Sequence, residues 1–194
     1  MVNIIESLEI SELKETKFIR PVKVTYFQNG ISKSWEAVKS HNSVAILLYH
    51  TEKKAFLLVK QFRVPVFLND NSKTFTYELC AGLVDKDKSL EEIAKEEIDE
   101  ECGYNVSLNH IIKITSFHTN VGISGSCQYL YFAKIDESMK IHDGGGINDE
   151  QIETFFLPVE NSDEFIFDES KAKTPGLMFA FYWFFKNKDK LGVE

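Results

Sequence analysis

Apolar and polar positions change their spacing along the chain in a way that separates strands from helices. Lys23 to Tyr26 and Ser34 to Val38 predict two strands, with Asn29-Gly30 between them as a hairpin turn that tolerates positive φ. Val44 to Tyr49 and Ala55 to Gln61 are apolar strand candidates, and Thr74 to Cys80 alternates well enough to be the next. Further strands are expected at Ile111 to Phe117, Gln128 to Ile135 and Gln151 to Pro158. A last amphipathic helix, Leu177 to Asn187, carries Phe179, Phe181, Tyr182, Trp183, Phe184 and Phe185, which we assign to the core. Strands, one central helix, strands and a terminal helix make an α+β pattern and not a regular βαβ repeat. No internal repeat or low-complexity linker interrupts it. Asp143-Gly144-Gly145-Gly146 reads as a flexible loop and not as a domain boundary.

The central helix carries the chemistry. Ser89 followed by Glu92 predicts a capping box, and Gly103 stands where a glycine ends a helix, so the helix spans roughly Leu90 to Cys102. At 100° per residue, with Leu90 as zero, Ala94 falls at about +40°, Ile93 at about −60° and Ile98 at about +80°, which defines a buried face. Glu97 falls at about −20° and Glu101 at about +20°, inside that apolar stripe. A buried bare carboxylate costs several kcal/mol even after relaxation, roughly, and neighbouring ones repel. Two compensations fit: Arg or Lys reaching in from elsewhere, or a divalent cation held by carboxylates one turn apart, with Glu100 on the flank as a further ligand. Glu91, Glu92, Lys95, Glu96 and Asp99 read as a solvated outer face.

Composition and charge narrow the classes. With 194 residues, 43% hydrophobic and 27% charged, the chain suits one ordinary globular domain with at most a small N-terminal appendage. The net charge of −8 disfavours nonspecific nucleic-acid binding. Most of it sits between Gly82 and Tyr104, where nine acids face three lysines. Cys80, Cys102 and Cys127 lack any CxxC pair and are expected to be reduced thiols, in neither a disulfide framework nor a zinc site. No apolar run reaches the ~18 residues of a membrane span, and Met1 to Lys14 lacks the apolar core of a signal peptide, so we expect a cytoplasmic protein. His118 and His142 lack metal-ligand spacing and receive no role.

Gly82 and the run Glu97-Ile98-Asp99-Glu100-Glu101-Cys102-Gly103-Tyr104 resemble the Nudix box, GX5EX7REUXEEXGU, without a gap. The departures are Lys88 where the box has Glu and Glu96 where it has Arg. These signs are exchanged, and a Lys88 to Glu96 bridge would preserve the family's brace of the loop on the helix. The resemblance implies a Nudix α/β/α sandwich with a mixed sheet, plus a small N-terminal antiparallel strand region, divided as 1–43 and 44–194. It implies Mg²⁺, with Mn²⁺ as a substitute, held by Glu97, Glu100, Glu101 and the carbonyl of Ala81. Thr76-Tyr77-Glu78-Leu79-Cys80-Ala81-Gly82 looks like the strand entering the box, and Glu78 and Gly82 are counted as substrate-binding.

Lys60-Gln61-Phe62-Arg63 resembles the segment that offers an Arg to a substrate diphosphate, which makes Gln61 and Arg63 candidates. Taken alone, without the resemblance, Arg63 reads as a surface residue at a strand end. Lys33-Ser34-Trp35-Glu36 resembles a segment whose Trp stacks on the base in related dimers; a Trp packed in a sheet is the alternative for Trp35. His41-Asn42-Ser43-Val44, Gly122-Ile123-Ser124-Gly125-Ser126 and Cys102-Gly103-Tyr104 look most like the UDP-sugar diphosphatase branch, with Ser124 at the substrate. Ser40 stands where ADP-ribose relatives often carry a phosphate-binding Arg. Aligning Leu157-Pro158 puts Glu150 at the family's base position, with Asp149 and Glu153 as rivals, and Glu150 joins Glu100 as catalytic. The glycines Gly144 to Gly146 would let that loop move. The implied reaction is attack of water on a diphosphate phosphorus, releasing a nucleoside monophosphate and a sugar 1-phosphate, by a homodimer that binds neither nucleic acid nor membrane. ADP-ribose diphosphatase and a nonhydrolysing nucleotide-sugar sensor are the alternatives.

Overall fold

The computed structural model of the protein describes residues 5, 7–11, 14–16 and 19–193. The reading of Met1 to Lys14 as lacking a leader therefore lies partly outside the described residues. Two strands, β1 (Arg20–Gln28) and β2 (Ile31–Lys39), pair antiparallel as a separate two-stranded sheet. Asn29 and Gly30 turn between them at φ of 53° and 78°, the conformation their dipeptide predicts. The hairpin is tied to the body where Val38 N–H donates to Ile123 O at 3.0 Å.

In the main sheet, β3 (Ser43–His50) and β4 (Ala55–Gln61) form a hairpin but pair only where Leu48, Tyr49 and His50 oppose Leu57, Phe56 and Ala55. Beyond that they diverge, and the segment Thr76 to Leu83 enters the gap. Its first part, β5 (Thr76–Glu78), pairs with β4, and its second, β6 (Cys80–Leu83), pairs with β3. The single strand expected at Thr74 to Cys80 is thus broken at the buried Leu79, because the chain changes partners there. On its other side β3 runs parallel to β8 (Cys127–Ile135), which pairs antiparallel with β7 (Ile112–His118). β9 (Glu153–Pro158) lines the far edge of β4, and the short β10 (Ala172–Lys173) runs parallel to β5.

β3 is buried on both faces, which is why it reads as an unbroken apolar run and not as an alternation. Val44, Ile46 and Leu48 pack with Ile93 and Ala94 of the acidic helix α2 (Leu90–Glu97), numbered after a short α1 (Val64–Asn69). Ala45, Leu47 and Tyr49 pack on the opposite side with Phe165 of α3 (Ser162–Phe167) and with Leu177, Ala180, Phe181 and Phe184 of α4 (Pro175–Asn187). Phe179, Tyr182 and Phe185, expected in the core, are exposed instead, because only one face of α4 meets the sheet. This is the α/β/α sandwich with a mixed sheet that the resemblance implied. The six-residue helices α1 and α3 escaped the pattern because each spans under two turns, too few to display a helical period. α4 starts two residues earlier than predicted, with Pro175 in its first turn and Thr174 Oγ1 accepting from Leu177 N–H, a proline position that leaves no helical hydrogen bond unmade. Among the described residues, no helix is long and apolar enough to cross a membrane.

Candidate active site

The acidic helix begins as its sequence predicts. Ser89 caps Glu92 N–H, and the Glu92 carboxylate returns to Ser89 N–H. It does not continue uniformly to Cys102: after Glu97 the backbone widens into a π turn, Ile98–Cys102, before Gly103 ends it at φ of 77°. Wide turns of this kind inside helices cluster at functional sites. Here the turn holds Glu100 and Glu101, so the 100° projection applies through Glu97 and only approximately beyond it.

Glu101 is 4% exposed, and its carboxylate accepts from Ala81 N–H at 2.9 Å. Glu97 lies over the next residue of that strand. A methyl group placed on Gly82 would stand 2.0 Å from the Glu97 carboxyl carbon, so glycine at 82 is what admits the carboxylate. Burial first, and then the neighbouring Glu100, push the Glu97 carboxyl up to about 7. Burial likewise pushes Glu101 up to about 8, against the lowering effect of the Ala81 N–H. Among the described residues neither one joins an ion pair. The compensation by Arg or Lys that the sequence left open is therefore not what these two carboxylates have.

Among the described residues, these groups line a cavity of about 480 Å³ with six acids, Glu78, Asp85, Glu97, Glu100, Glu101 and Glu150, and two cations, Arg63 and Lys86. Gln61, Ala81 and Gly82 also line it. The divergence of β3 and β4 makes the space, and the inserted β5 and β6 bring Glu78, Ala81 and Gly82 to its wall. Arg63 follows directly on β4 and forms a two-pronged pair with Glu78, Nε to Oε1 at 2.8 Å and Nη2 to Oε2 at 2.9 Å. Glu78, 8% exposed, also accepts from Thr76 Oγ1 at 2.6 Å. Among the described residues no group of three or more His, Cys, Asp or Glu side chains closes into a ready-made metal cage. The donor chemistry nonetheless fits a hard divalent cation: the donors are oxygens, Glu97 and Glu101 have no ion-pair partner among the described residues, and Gly82 leaves room for one of them.

Trp35 and Ser124 stand outside this cavity. Trp35 is 54% exposed, and its indole N–H donates to Gly122 O at 3.0 Å; Ser124 Oγ lies 3.3 Å from Ser126 Oγ. The rivals for the base position separate as well. Glu150 lines the cavity with Oε2 accepting from Ile147 N–H at 3.0 Å, whereas Glu153 in β9 is paired with Lys60 at 3.0 Å and Asp149 is not among the lining residues.

The glycine loop before Glu150 is docked and not loose. Gly145 N–H donates to Glu101 O at 2.9 Å and Gly146 N–H to Glu100 O at 3.0 Å, which caps carbonyls that a helix end leaves without partners. A methyl on Gly144 would stand 2.2 Å from Glu101 O. The glycines serve this close approach at positive φ, and the expectation of a freely flexible loop is corrected accordingly.

The model of the NUDIX domain matches residues 39–174 of the chain. The chain belongs to the Nudix family. As a Nudix protein it is a hydrolase of diphosphate bonds, in a superfamily that works with divalent cations. It is similar to the uridine diphosphate glucose pyrophosphatase of Bos taurus, 33% identical over 209 residues covering 93% of this chain and 94% of that protein. To the protein of the same description from Mus musculus it is 29% identical over the same shares. To a GDP-mannose pyrophosphatase of Cronobacter sakazakii it is 38% identical over 123 residues, 63% of each chain. In this Nudix box the exchanged pair meets: Lys88 Nζ bonds Glu96 Oε1, and Lys86 joins Glu96 at 3.1 Å. Residues missed in the sequence are Ser43, Asp85, Lys86 and Gln128, all of which line the cavity. Ser43 and Gln128 are brought together only by the parallel pairing of β3 with β8, and nothing local in the sequence signals that.

Proposed function

We propose that the protein hydrolyses the diphosphate bond of a nucleoside diphosphate sugar of the UDP-glucose type, giving a nucleoside monophosphate and a sugar 1-phosphate, with Mg²⁺ or Mn²⁺. What carries the reading is the cavity, which gathers the carboxylates of the box, the Ala81 carbonyl strand and Arg63 in about 480 Å³, a volume suited to one small-molecule ligand. The UDP-glucose pyrophosphatase of Bos taurus is similar over nearly the whole chain, including the N-terminal hairpin, while the GDP-mannose enzyme is similar over a shorter span. That difference favours the uridine sugar.

When bound among Glu97, Glu100, Glu101 and the Ala81 carbonyl, the cation supplies neutralisation of phosphate charge and polarisation of a phosphoryl oxygen. The protein's own groups do the rest. Arg63 engages Nε and Nη2 with Glu78, which fixes the guanidinium plane and leaves Nη1 for a phosphate oxygen. Glu150, its Oε2 held by Ile147 N–H, directs its other oxygen to a water and takes the proton as that water attacks phosphorus. Gln61 and Gly82 border the ligand. A second copy of the chain completes the reading: Val24, Phe27, Ile31 and Trp35 are exposed on the hairpin, and in a homodimer of cytoplasmic location Trp35 reaches the base bound by the other subunit.

Product analysis after incubation with Mg²⁺ and, separately, UDP-glucose, ADP-ribose and GDP-mannose tests this, with Glu101→Gln as control. UMP and glucose 1-phosphate from the first, absent in the control, is the expected result. Preference for ADP-ribose would replace the substrate, and ligand binding without turnover in Mg²⁺ or Mn²⁺ would make the protein a sensor.

A further inference from the structure

Among the described residues that line the cavity, two are cations, and their situations differ. Arg63 is committed to Glu78 through two hydrogen bonds, and moving it would strip a nearly buried carboxylate of its charged partner. Lys86, on the loop between β6 and α2, is partly exposed and touches Glu96 at 3.1 Å and Glu100 at 3.9 Å. Glu96 has a second lysine, Lys88, bonded to its other oxygen. Lys86 can therefore leave Glu96 without leaving that carboxylate unpaired.

We propose that Lys86 is a substrate-binding residue of this site, swinging from Glu96 to donate to the phosphate oxygens of a diphosphate ligand. The inference rests on the hydrolase reading and adds a residue to it. Lysine chemistry suits such a role, because a flexible four-carbon stem and three donors on a compact charge reach an anion that approaches in varied poses. A diphosphate entering a wall of carboxylates needs cations beyond those already engaged, and among the described lining residues Lys86 is the cation with a replaceable partner. The sign exchange in the box acquires a second consequence here. An arginine at 96 would repel Lys86, whereas Glu96 holds it in the cavity wall until an anion competes for it.

The test compares wild type, Lys86→Gln and Lys86→Arg in Mg²⁺, measuring kinetics on UDP-glucose and the affinity for inorganic pyrophosphate by calorimetry. Expected for Lys86→Gln are an increase in KM and a loss of pyrophosphate affinity of about tenfold each, the size of one charge-assisted hydrogen bond. Unchanged thermal stability and recovery of both values to within about threefold of wild type in Lys86→Arg are also expected, since arginine keeps the charge. Unaltered pyrophosphate affinity in Lys86→Gln, with tighter Mg²⁺ binding, would show that Lys86 only balances the carboxylates and would overturn the proposal. So would a wild type that does not bind pyrophosphate. A wild type that binds pyrophosphate with the expected dependence on Lys86 but turns over no nucleotide sugar would overturn the proposed activity and leave Lys86 as an anion-binding residue.

Discussion

At the scale of single residues, Glu97 and Glu101 put the strongest constraint on the protein. Their carboxyls are raised to about 7 and about 8 in the fold from an ordinary value of about 4.5 in the unfolded chain. Below the unfolded value both states are protonated and the residues cost nothing. As pH climbs through the window from about 4.5 to 8, the unfolded chain ionises first, so stability is lost, and the loss is complete above the folded values. The metal-free protein should melt lower at pH 8.5 than at pH 5.5, by several degrees for the ~2–4 °C that each kcal/mol moves a chain of this length. Mg²⁺ should raise the melting temperature much more at the higher pH, and Glu101→Gln should flatten the metal-free profile. A metal-free melting temperature independent of pH across that window would contradict these assignments. Glu97 was legible because an angular projection needs only the α-helical period, and Glu101 was reached by the same projection although the π turn makes it approximate there. Lys86 was not legible, because its place in the cavity depends on the path of a loop, and in one dimension it is one more charge in a charged segment.

Helices and strands set the intermediate scale, and here local rules held where an element closes on itself. The Ser89 capping box, the Asn29-Gly30 turn and the Gly103 terminus each depend on residues within a few positions of one another. The π turn at Ile98–Cys102 and the break at Leu79 depend on distant partners, the docked glycine loop in one case and the two diverging strands in the other, so periodicity alone missed them. The Lys88 and Glu96 pair is intermediate: its existence was legible from the exchanged signs, but the entry of Lys86 into it was not. Both side chains are partly exposed, so the pair contributes modestly to stability. Glu96→Lys should lower the melting temperature by only ~2 °C yet reduce turnover more strongly, by loosening the loop that carries Asp85 and Lys86. Lys88→Glu combined with Glu96→Arg should restore the melting temperature. Identical melting and activity in all the variants would show that the brace has no role.

At the scale of the whole molecule, periodicity reached only an α+β pattern, and the sandwich came with the resemblance of the acidic segment to the Nudix box; the apolar run of β3, buried on both faces, is what the sandwich is built around. Strand order was not legible, since the parallel neighbours β3 and β8 lie far apart along the chain. Nor could the chain alone place Trp35 at the site: in one copy it stands on the hairpin, away from the cavity. If the proposed homodimer forms, the particle in solution has twice the 22.3 kDa of the chain. Phe27→Asp on the exposed hairpin should then yield monomers with a raised KM, and Trp35→Ala should raise KM without dissociating the dimer. Light scattering that gives the single-chain mass for wild type would remove the second copy from the reading.

The glycine strap across the end of the acidic helix has a thermodynamic consequence for catalysis. Because Gly145 and Gly146 are bonded to the carbonyls of Glu101 and Glu100, only a few residues separate a fixed anchor from Glu150, the proposed base. Ordering a backbone residue costs roughly 1–2 kcal/mol in lost entropy. For most of this loop that loss is incurred once, when the chain folds, and not again at each turnover. The carboxylate proposed to receive the proton and those proposed to hold the cation therefore share one hydrogen-bonded frame, and on that reading their separation is set before any substrate arrives.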